Sequence, residues 1–354
     1  MKTDRSLTRF SKLWLILVIL ILTVSVSTML GTATEKPVNL RVNVIVQPTA
    51  GYWEHCFEPL FKKIEKLTEG RVTYTPYFPG QLCSPPEAAD ATRGGIVDFT
   101  WTCQGFTPDK FPLSSVLELP FLVPMPTVAI GGPIFKAIYD EFPEIRDEYK
   151  DWHVCWLQLH MAADIHSEKP ITSIDQLKGM KILTQPSQSK IDVVKALGAT
   201  PLNMDTNDFY TSLERGLADS AFIAWGAYDA AHLYDLTNNH YLIGLLPVNC
   251  CYLMNKDTFN SLQPKDQEIV DTILSFDVGW ASMRDTLAWS RWKVINGPCS
   301  DDNYYMPTPE DMVKARELVK PIWDKWVQER EAMGLPAQKV LDRVIELVEK
   351  YNKV

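Results

Sequence analysis

Apolar residues in the first third of the chain follow two alternating periods. Residues 41–46 and 71–77 form short runs that are typical of buried strands. A capping box at residues 84–87 (Ser-Pro-Pro-Glu) starts a helix, and residues 97–102 form a third strand. Between the first two strands, apolar side chains recur at intervals of three and four residues, which places them on one helical face: Trp53, Cys56, Phe57, Leu60, Phe61, Ile64 and Leu67. The pattern predicts a β-α-β-α-β unit with a parallel sheet.

The same alternation restarts in the middle of the chain. Apolar runs at residues 153–160, 180–184, 201–204 and 218–224 predict strands, and amphipathic segments between the last three predict helices. Most of the remaining carboxyl-terminal part has a helical pattern. At 354 residues, the chain has the length of two domains. We therefore predict two α/β lobes, each with helices packed on a parallel sheet.

A tryptophan lies near the carboxyl end of one strand in each predicted lobe. Trp101 follows the Arg-Gly-Gly segment at 93–95, and Trp225 follows the Arg-Gly segment at 215–216. Ligands of open parallel sheets bind outside the carboxyl ends of the strands. Two interpretations stay open: the tryptophans face one another across a cleft, or both belong to the cores.

The amino terminus has the plan of a secretory signal peptide, which we place at residues 1–33. Basic residues precede an unbroken apolar run at 13–22, and residues 31–33 (Gly-Thr-Ala) present small side chains where signal peptidase cleaves. The apolar run is shorter than the roughly 20 residues that cross a bilayer. An uncleaved N-terminal anchor is the alternative. We expect a periplasmic protein, secreted through a cleaved signal peptide.

Charge and composition narrow the function classes. The net charge is −9 and the pI is about 5.3, which argues against a nucleic-acid partner. Hydrophobic residues at 46% and charged residues at 22% are typical of a packed globular protein. The seven cysteines leave at least one thiol unpaired within the chain. Their density is far below that of a disulfide scaffold, and most are expected to be buried thiols.

Common catalytic and nucleotide-binding motifs are absent from the sequence. It contains no G-x-S-x-G, H-E-x-x-H, G-x-x-x-x-G-K or G-x-G-x-x-G. His160, Asp164 and His166 form the densest ionisable cluster, which is a weak signal for a metal site. We expect no catalytic residue, no metal site and no cofactor, and we favour binding over chemistry. A periplasmic enzyme on a two-lobed scaffold and a solute sensor are the alternatives.

Five segments of the chain form a specific set by their order and spacing. They are residues 77–122, 169–182 (KPITSIDQLKGMKI), 195–204 (KALGATPLNM), 208–225 and 253–262. As a set they resemble the DctP-type extracytoplasmic solute-binding proteins of TRAP transporters. The resemblance implies a two-lobed periplasmic binding protein fold with a hinge and a long helix across both lobes. It also implies capture of a small organic solute between the lobes and its delivery to the small and large membrane permease subunits.

The resemblance also predicts how the chain divides between the lobes. Lobe I would contain residues 34–158 and about 247–285, and lobe II would contain residues 159–246 and about 286–354. The signal peptide would precede both.

The sequence departs from the family pattern where a ligand carboxylate would bind. In many relatives an arginine in the strand after the K-G-x-K-I segment pairs with that carboxylate in a two-pronged bond. Leu183 takes that place here, and residues 160–164 lack the second arginine that relatives often carry. We therefore predict a neutral, aromatic or cationic solute rather than a simple dicarboxylate. The alternative is a carboxylate held by backbone amides, Lys190 or His160.

Candidate ligand-binding residues follow from the expected cleft loops, and they are mainly aromatic and polar. Aromatic faces suit a planar apolar ligand or a cation. Trp53 fits the core face of its helix equally well. The predicted set is Tyr52, Trp53, Trp101, Gln104, His160, Asp164, Leu183, Gln185, Ser187 and Trp225.

Overall fold

The computed structural model describes residues 37–48, 51–124 and 127–351, so the predicted signal peptide at 1–33 lies outside the described residues. Within them, five strands form one sheet in the order β2-β1-β3-β10-β4. The part of the protein built on this sheet is lobe I below. The strands are β1 (Val38–Asn43), β2 (Val72–Tyr77), β3 (Phe99–Cys103), β4 (Trp152–Leu159) and β10 (Asn249–Asn255).

A second sheet carries the part called lobe II. Six further strands of the described ranges lie in the order β11-β9-β5-β8-β6-β7. They are β5 (Ala163–Ser167), β6 (Lys181–Thr184), β7 (Thr200–Asn203), β8 (Ser220–Ile223), β9 (Asn239–Leu246) and β11 (Asn303–Tyr305).

Each sheet is mixed, so the prediction of purely parallel sheets is wrong. β1 and β3 run parallel, as do β6 and β8, but β10 is antiparallel to β3 and β4, and β5 is antiparallel to β8 and β9. The cause lies in the two chain crossings at residues 160–162 and 247–248. β4 and β9 end at the edge where the lobes meet. The strand that follows each crossing enters the other sheet from that edge, and it is therefore antiparallel to its neighbours.

The two crossing segments are bonded to one another. The backbone N–H of His160 donates to the carbonyl of Val248 at 2.8 Å. Each crossing spans only two or three residues between strands, so a rotation of one lobe against the other is concentrated in these few backbone dihedrals. This paired crossing is the hinge.

Helices cover both sheets. Pro59 lies in the first turn of α1, where a proline is tolerated, and a π-helical turn at Trp53–Phe57 precedes it. The helices are α1 (Glu58–Leu67), α2 (Ala88–Arg93), α3 (Thr127–Glu141), α4 (Pro143–Glu148), α5 (Gln188–Ala196), α6 (Phe209–Glu214), α7 (Trp225–Ala230), α8 (Lys256–Ser261), α9 (Pro264–Ile273), α10 (Val278–Ile295), α11 (Pro309–Ala332) and α12 (Ala337–Tyr351). Among the described helices, none is both long and apolar enough to cross a membrane.

Helix α10 contacts both lobes. Gly279 at its start lies so close to Trp156 of β4 that a Cβ atom would be 2.7 Å from the indole ring. Near its end, Lys293 Nζ lies 3.1 Å from the carboxylate of Asp229 in lobe II. α11 also joins the lobes, since Val319 belongs to the core of lobe II and Trp326 to the core of lobe I.

Helix α12 packs in the core of lobe I through its apolar face. Val340, Val344 and Leu347 are buried there, and Arg343 forms an ion pair with Glu141 of α3. The residue boundaries of the two lobes stay a prediction. The packing of α12 nevertheless favours assigning residues 337–351 to lobe I rather than to lobe II, because its buried face has no other partner of comparable extent in the described core.

Candidate functional site

A cavity lies between the two lobes, at the edge where most strands of both sheets end. It has a volume of about 1280 Å³, including the part open to solvent. Its walls are the segments after β1 and β3, the hinge, the loops after β6 and β7, and the first turns of α7. This is the place where open α/β sheets bind ligands.

One wall of the cavity is aromatic. The Trp101 ring lies 5.0 Å from that of Tyr52 and is stacked on that of His160 at 5.2 Å, measured between ring centroids. His160 Nε2 is 2.7 Å from the Tyr252 hydroxyl, which lies deeper in lobe I. Burial lowers the pKa of His160 to about 3, so the ring is neutral at ordinary pH. The wall therefore presents uncharged flat surfaces to a ligand.

Lobe II contributes a buried cation to the cavity, Lys190 of α5. Only 3% of this residue is exposed, and its Nζ donates to Gln185 Oε1, while Gln185 Nε2 donates to Thr206 Oγ1 at 3.0 Å. Burial lowers the pKa of Lys190 to about 8, and nearby Glu118 opposes that shift. Among the described residues, no carboxylate forms an ion pair with this ammonium group. Lys190 is therefore a candidate anchor for an anion.

Glu118 brings a buried carboxyl group to the same cavity. It ends a short 3₁₀ helix, Ser114–Glu118, of lobe I. Its Oε2 accepts a hydrogen bond from Ser189 Oγ of lobe II at 2.7 Å, and its Oε1 accepts one from the Asn249 backbone at 3.3 Å. Burial raises the pKa of Glu118, and these hydrogen bonds oppose the rise. The cavity thus contains one buried basic group and one buried acidic group, and the exposed Asp205 also lines it.

The lobes also touch directly at Tyr52. A Cβ atom built on Gly226 of α7 would lie 1.8 Å from the Tyr52 hydroxyl oxygen, which is far inside contact distance. Glycine at this position lets a lobe I side chain reach the backbone of lobe II. The cavity is therefore bounded by lobe-to-lobe contacts at Tyr52 as well as at Glu118.

Two thiols meet beside the cavity. Cys103 of β3 lines it, and Cys103 Sγ lies 3.3 Å from Cys250 Sγ of β10. These residues are direct partners in the antiparallel pairing of the two strands. All seven cysteines are free thiols in the structure.

The structure brings together half of the predicted binding residues. Those that line the cavity are Tyr52, Trp101, His160, Gln185 and Ser187. Trp53 instead packs against Phe61 and Tyr74, as its place on the core face of the helix allows. The Gln104 side chain turns into lobe I and donates to the Tyr149 hydroxyl at 2.9 Å.

The other three predicted residues are buried in lobe II. Trp225 Nε1 donates a hydrogen bond to Asp164 Oδ2 at 2.9 Å, and neither residue lines the cavity. Trp225 therefore does not face Trp101 across the cavity. Asp164 also accepts from the Gly244 backbone at 2.9 Å. Leu183 is fully buried in β6. The sequence left Lys190 as an alternative and missed Glu118, which lies in a proline-rich segment without a periodic pattern.

Two α/β lobes joined at a hinge, with a cavity between them that is lined by both, define a two-lobed solute-binding protein. The chain belongs to the DctP family, described as bacterial extracellular solute-binding protein, family 7, whose pattern matches residues 46–330. The family assignment and the predicted two-lobed fold are confirmed. Members of this family bind small organic solutes and work with TRAP membrane permeases.

Individual relatives are distant but cover much of the chain. The ectoine-binding periplasmic protein TeaA of Halomonas elongata is 26% identical over 197 residues, which is 54% of this chain and 56% of that protein. The fold is similar to that of a TRAP solute-binding protein from an unidentified marine microbe, specific for aromatic acids and in complex with 3-hydroxybenzoate. That structure is 23% identical, with 90% of this chain and 99% of that chain covered and a TM-score of 0.81.

A second solved structure has the same fold. It is a TRAP solute-binding protein from Rhodoferax ferrireducens in complex with benzoate, 23% identical, with 89% of this chain and 99% of that chain covered and a TM-score of 0.79.

Proposed function

We propose that the cavity binds a planar aromatic monocarboxylate. The observation that carries this proposal is Lys190, a buried ammonium group without an ion-pair partner among the described residues, in a cavity that also has an aromatic wall. A ligand ring would lie against Trp101 and Tyr52, and its carboxylate would bind Lys190 Nζ. The fold relatives that hold benzoate and 3-hydroxybenzoate support this class of solute.

The proposed ligand class keeps the prediction of an aromatic solute that is not a simple dicarboxylate, and it replaces a neutral or cationic solute with an anionic one. A single buried cation matches one carboxylate, whereas a dicarboxylate would leave its second charge facing the neutral wall or Glu118. The ligand is then aromatic and not a simple dicarboxylate, as the absent arginines suggest. The anchor is the lysine that the sequence left as an alternative.

We further propose that residues 1–33 are cleaved on export and that the mature protein works in the periplasm. There it would deliver its solute to the small and large membrane subunits of a TRAP permease. The extracellular character of the family supports this location. An inner-membrane pull-down with both subunits co-expressed, together with amino-terminal sequencing of the secreted protein, tests both statements.

A thermal-shift panel tests the ligand class. It compares benzoate and 3-hydroxybenzoate with succinate, benzylamine and cyclohexanecarboxylate. A ligand at one hundred times its dissociation constant adds about 2.7 kcal/mol to the folded state, which is readily measured. The largest shift is expected with the aromatic acids. A larger shift with succinate or benzylamine would overturn the proposal, and recovery of unaltered benzoate by NMR would argue against an enzyme.

A zwitterionic solute of the ectoine class is the second candidate. Glu118 favours it, because a carboxylate on the cavity surface can accept a hydrogen bond from a cationic N–H group while Lys190 holds the ligand carboxylate. The relative TeaA is an ectoine-binding protein. Under this alternative Glu118→Gln would abolish the shift with ectoine. Under the first proposal Glu118→Gln, whose amide oxygen can still accept from Ser189, keeps most of the shift with benzoate.

A further inference from the structure

A second group of polar side chains lies in lobe II, apart from the cavity. The potential ligand atoms of His240, Cys299 and Asp302 all lie within 4.8 Å of one another, and none of these residues lines the cavity. His240 lies on β9, while Cys299 and Asp302 lie in the turn between α10 and β11. We call these three residues the His240 cluster.

The hydrogen-bond partners of the neighbouring His166 determine where the imidazole protons are. His166 Nε2 is 3.1 Å from the carbonyl oxygen of Ile223. A carbonyl only accepts, so His166 Nε2 carries a hydrogen. His166 Nδ1 is 2.8 Å from His240 Nδ1, and one proton lies between them. In the tautomer with one hydrogen on each ring, His240 Nδ1 is therefore the donor to His166 Nδ1.

His240 Nε2 then has a lone pair and no hydrogen to donate. It points at Asp302 Oδ2, which is 3.0 Å away and also an acceptor. Two acceptors this close repel unless a positive charge lies between them. A proton shared by His240 and Asp302 would remove this repulsion. A shared proton gives no reason for a third donor atom, yet the buried sulfur of Cys299 converges on the same point.

We propose that the His240 cluster binds one divalent transition-metal ion, with Zn²⁺ as the best match. Nitrogen, sulfur and oxygen donors together suit zinc, and three protein ligands leave a fourth tetrahedral position for water. Ligand atoms around tetrahedral zinc are about 3.5 Å apart, so the widest separation in the cluster, which is below 4.8 Å, has to contract by at most about 1.3 Å. His166 accepts the hydrogen of His240 Nδ1, which is the supporting bond that metal-bound histidines usually have.

The ion would tie together three parts of lobe II. His240 is the register partner of Tyr304 on β11, and Cys299 follows the end of α10. Because α10 also packs on lobe I, the ion would fix the lobe II end of a helix that spans both lobes. This is a structural role, and solute binding in the cavity does not depend on it directly.

The test uses protein expressed from the full coding sequence, stripped with EDTA and kept reduced. Co²⁺ is added first, because a thiolate ligand gives a charge-transfer band in the near ultraviolet. One equivalent of Co²⁺ is expected to produce this band, and Zn²⁺ is expected to abolish it by displacement. Competition with a chromogenic chelator gives the zinc affinity and stoichiometry.

Three variants make the result specific. Cys299→Ser is expected to lose the band, and Cys83→Ser, which changes a half-buried thiol outside the cluster, is expected to keep it. His166→Gln is expected to keep the band with roughly 10- to 100-fold weaker binding, as for other outer-shell changes. Circular dichroism verifies that each variant is folded.

Two outcomes would overturn the proposal. One is a band that survives in Cys299→Ser. The other is zinc binding that is no tighter in the parent protein than in Asp302→Asn, in which case only a proton lies between His240 and Asp302. A rise in Tm on adding Zn²⁺ to the parent protein but not to Cys299→Ser is the supporting result that needs no spectroscopic probe.

Discussion

Glu118 Oε2 accepts a hydrogen bond from Ser189 Oγ at 2.7 Å, and the two residues belong to different lobes. The bond is made only when the lobes meet, so its free energy counts toward the ligand-bound arrangement. A hydrogen bond to a charged group contributes about 1.5–3 kcal/mol. A contact between the lobes can therefore contribute to the apparent affinity for the solute.

Ser189→Ala removes that donor. We expect roughly 10-fold weaker binding of benzoate, since about 1.4 kcal/mol corresponds to a factor of ten. Isothermal titration calorimetry measures the dissociation constant for benzoate. Ser189→Thr keeps the hydroxyl group and is the matched control, with an affinity near that of the parent. Equal loss in both variants would show that the hydrogen bond is not the cause.

Gly226→Ala should hinder the contact between the lobes. Its new Cβ would lie 1.8 Å from the Tyr52 hydroxyl oxygen and 2.9 Å from Tyr52 Cζ. We expect weaker benzoate binding without loss of folding, because the strain exists only when Tyr52 reaches α7. Tyr52→Phe in the Gly226→Ala background removes the nearest atom and should recover part of the affinity. A double-mutant cycle without coupling between the two positions would contradict this contact.

Lys190→Met tests the anion anchor. Methionine keeps most of the buried chain and removes the charge, so benzoate binding should weaken by at least 100-fold, as expected when a buried charge loses its partner. Lys195→Met, on an exposed position of the same helix, should bind like the parent protein. If both variants bind alike, the carboxylate is held elsewhere.

Binding should also depend on pH through Lys190. Burial lowers its pKa to about 8 in the free protein, and only the protonated form pairs with a carboxylate. Affinity is therefore retained at pH 6–7 and falls as the pH rises through 8. His160, whose pKa is lowered to about 3 by burial, adds no titration in this range. Calorimetry from pH 6 to pH 10 measures the profile, which should be flat in Lys190→Met.

Cys103 and Cys250 should form a disulfide with a small oxidant such as oxidised glutathione. Their sulfurs are 3.3 Å apart, and direct partners on antiparallel strands have Cα spacings that a disulfide spans. Both thiols lose hydrogen to the oxidant, which is reduced to two glutathione molecules. Thiol titration in denaturant should fall from seven to five. In the Cys103→Ser variant, the same titration should still find all six remaining thiols after treatment with the oxidant.

Periodic segments were predictable, because a buried face repeats along the sequence. Helix α12 and strand β4 were expected from their apolar spacing alone. The antiparallel direction of strands β5 and β10 was not predictable, since it depends on the edge from which the chain enters each sheet. That is a property of the two crossings and not of the strands themselves.

The residues that line the cavity were predictable only where a side chain has no better partner. Trp101, near the end of β3, and His160, just after β4, line the cavity. Asp164, in β5, and Trp225, just after β8, form a hydrogen bond with one another instead, and no local pattern reveals such a pair. Glu118 lies in a segment without any period, so its orientation depends on tertiary contacts alone.

The unpaired ammonium group of Lys190 also bears on how an empty protein differs from a loaded one. Burying this charge costs free energy that nearby Glu118 offsets only in part, and a bound carboxylate offsets more of that cost. Bringing the lobes together around an empty cavity is then penalised more than doing so around an anion. A permease that recognises the joined lobes would consequently encounter few empty carriers, and futile docking would be suppressed by one side chain.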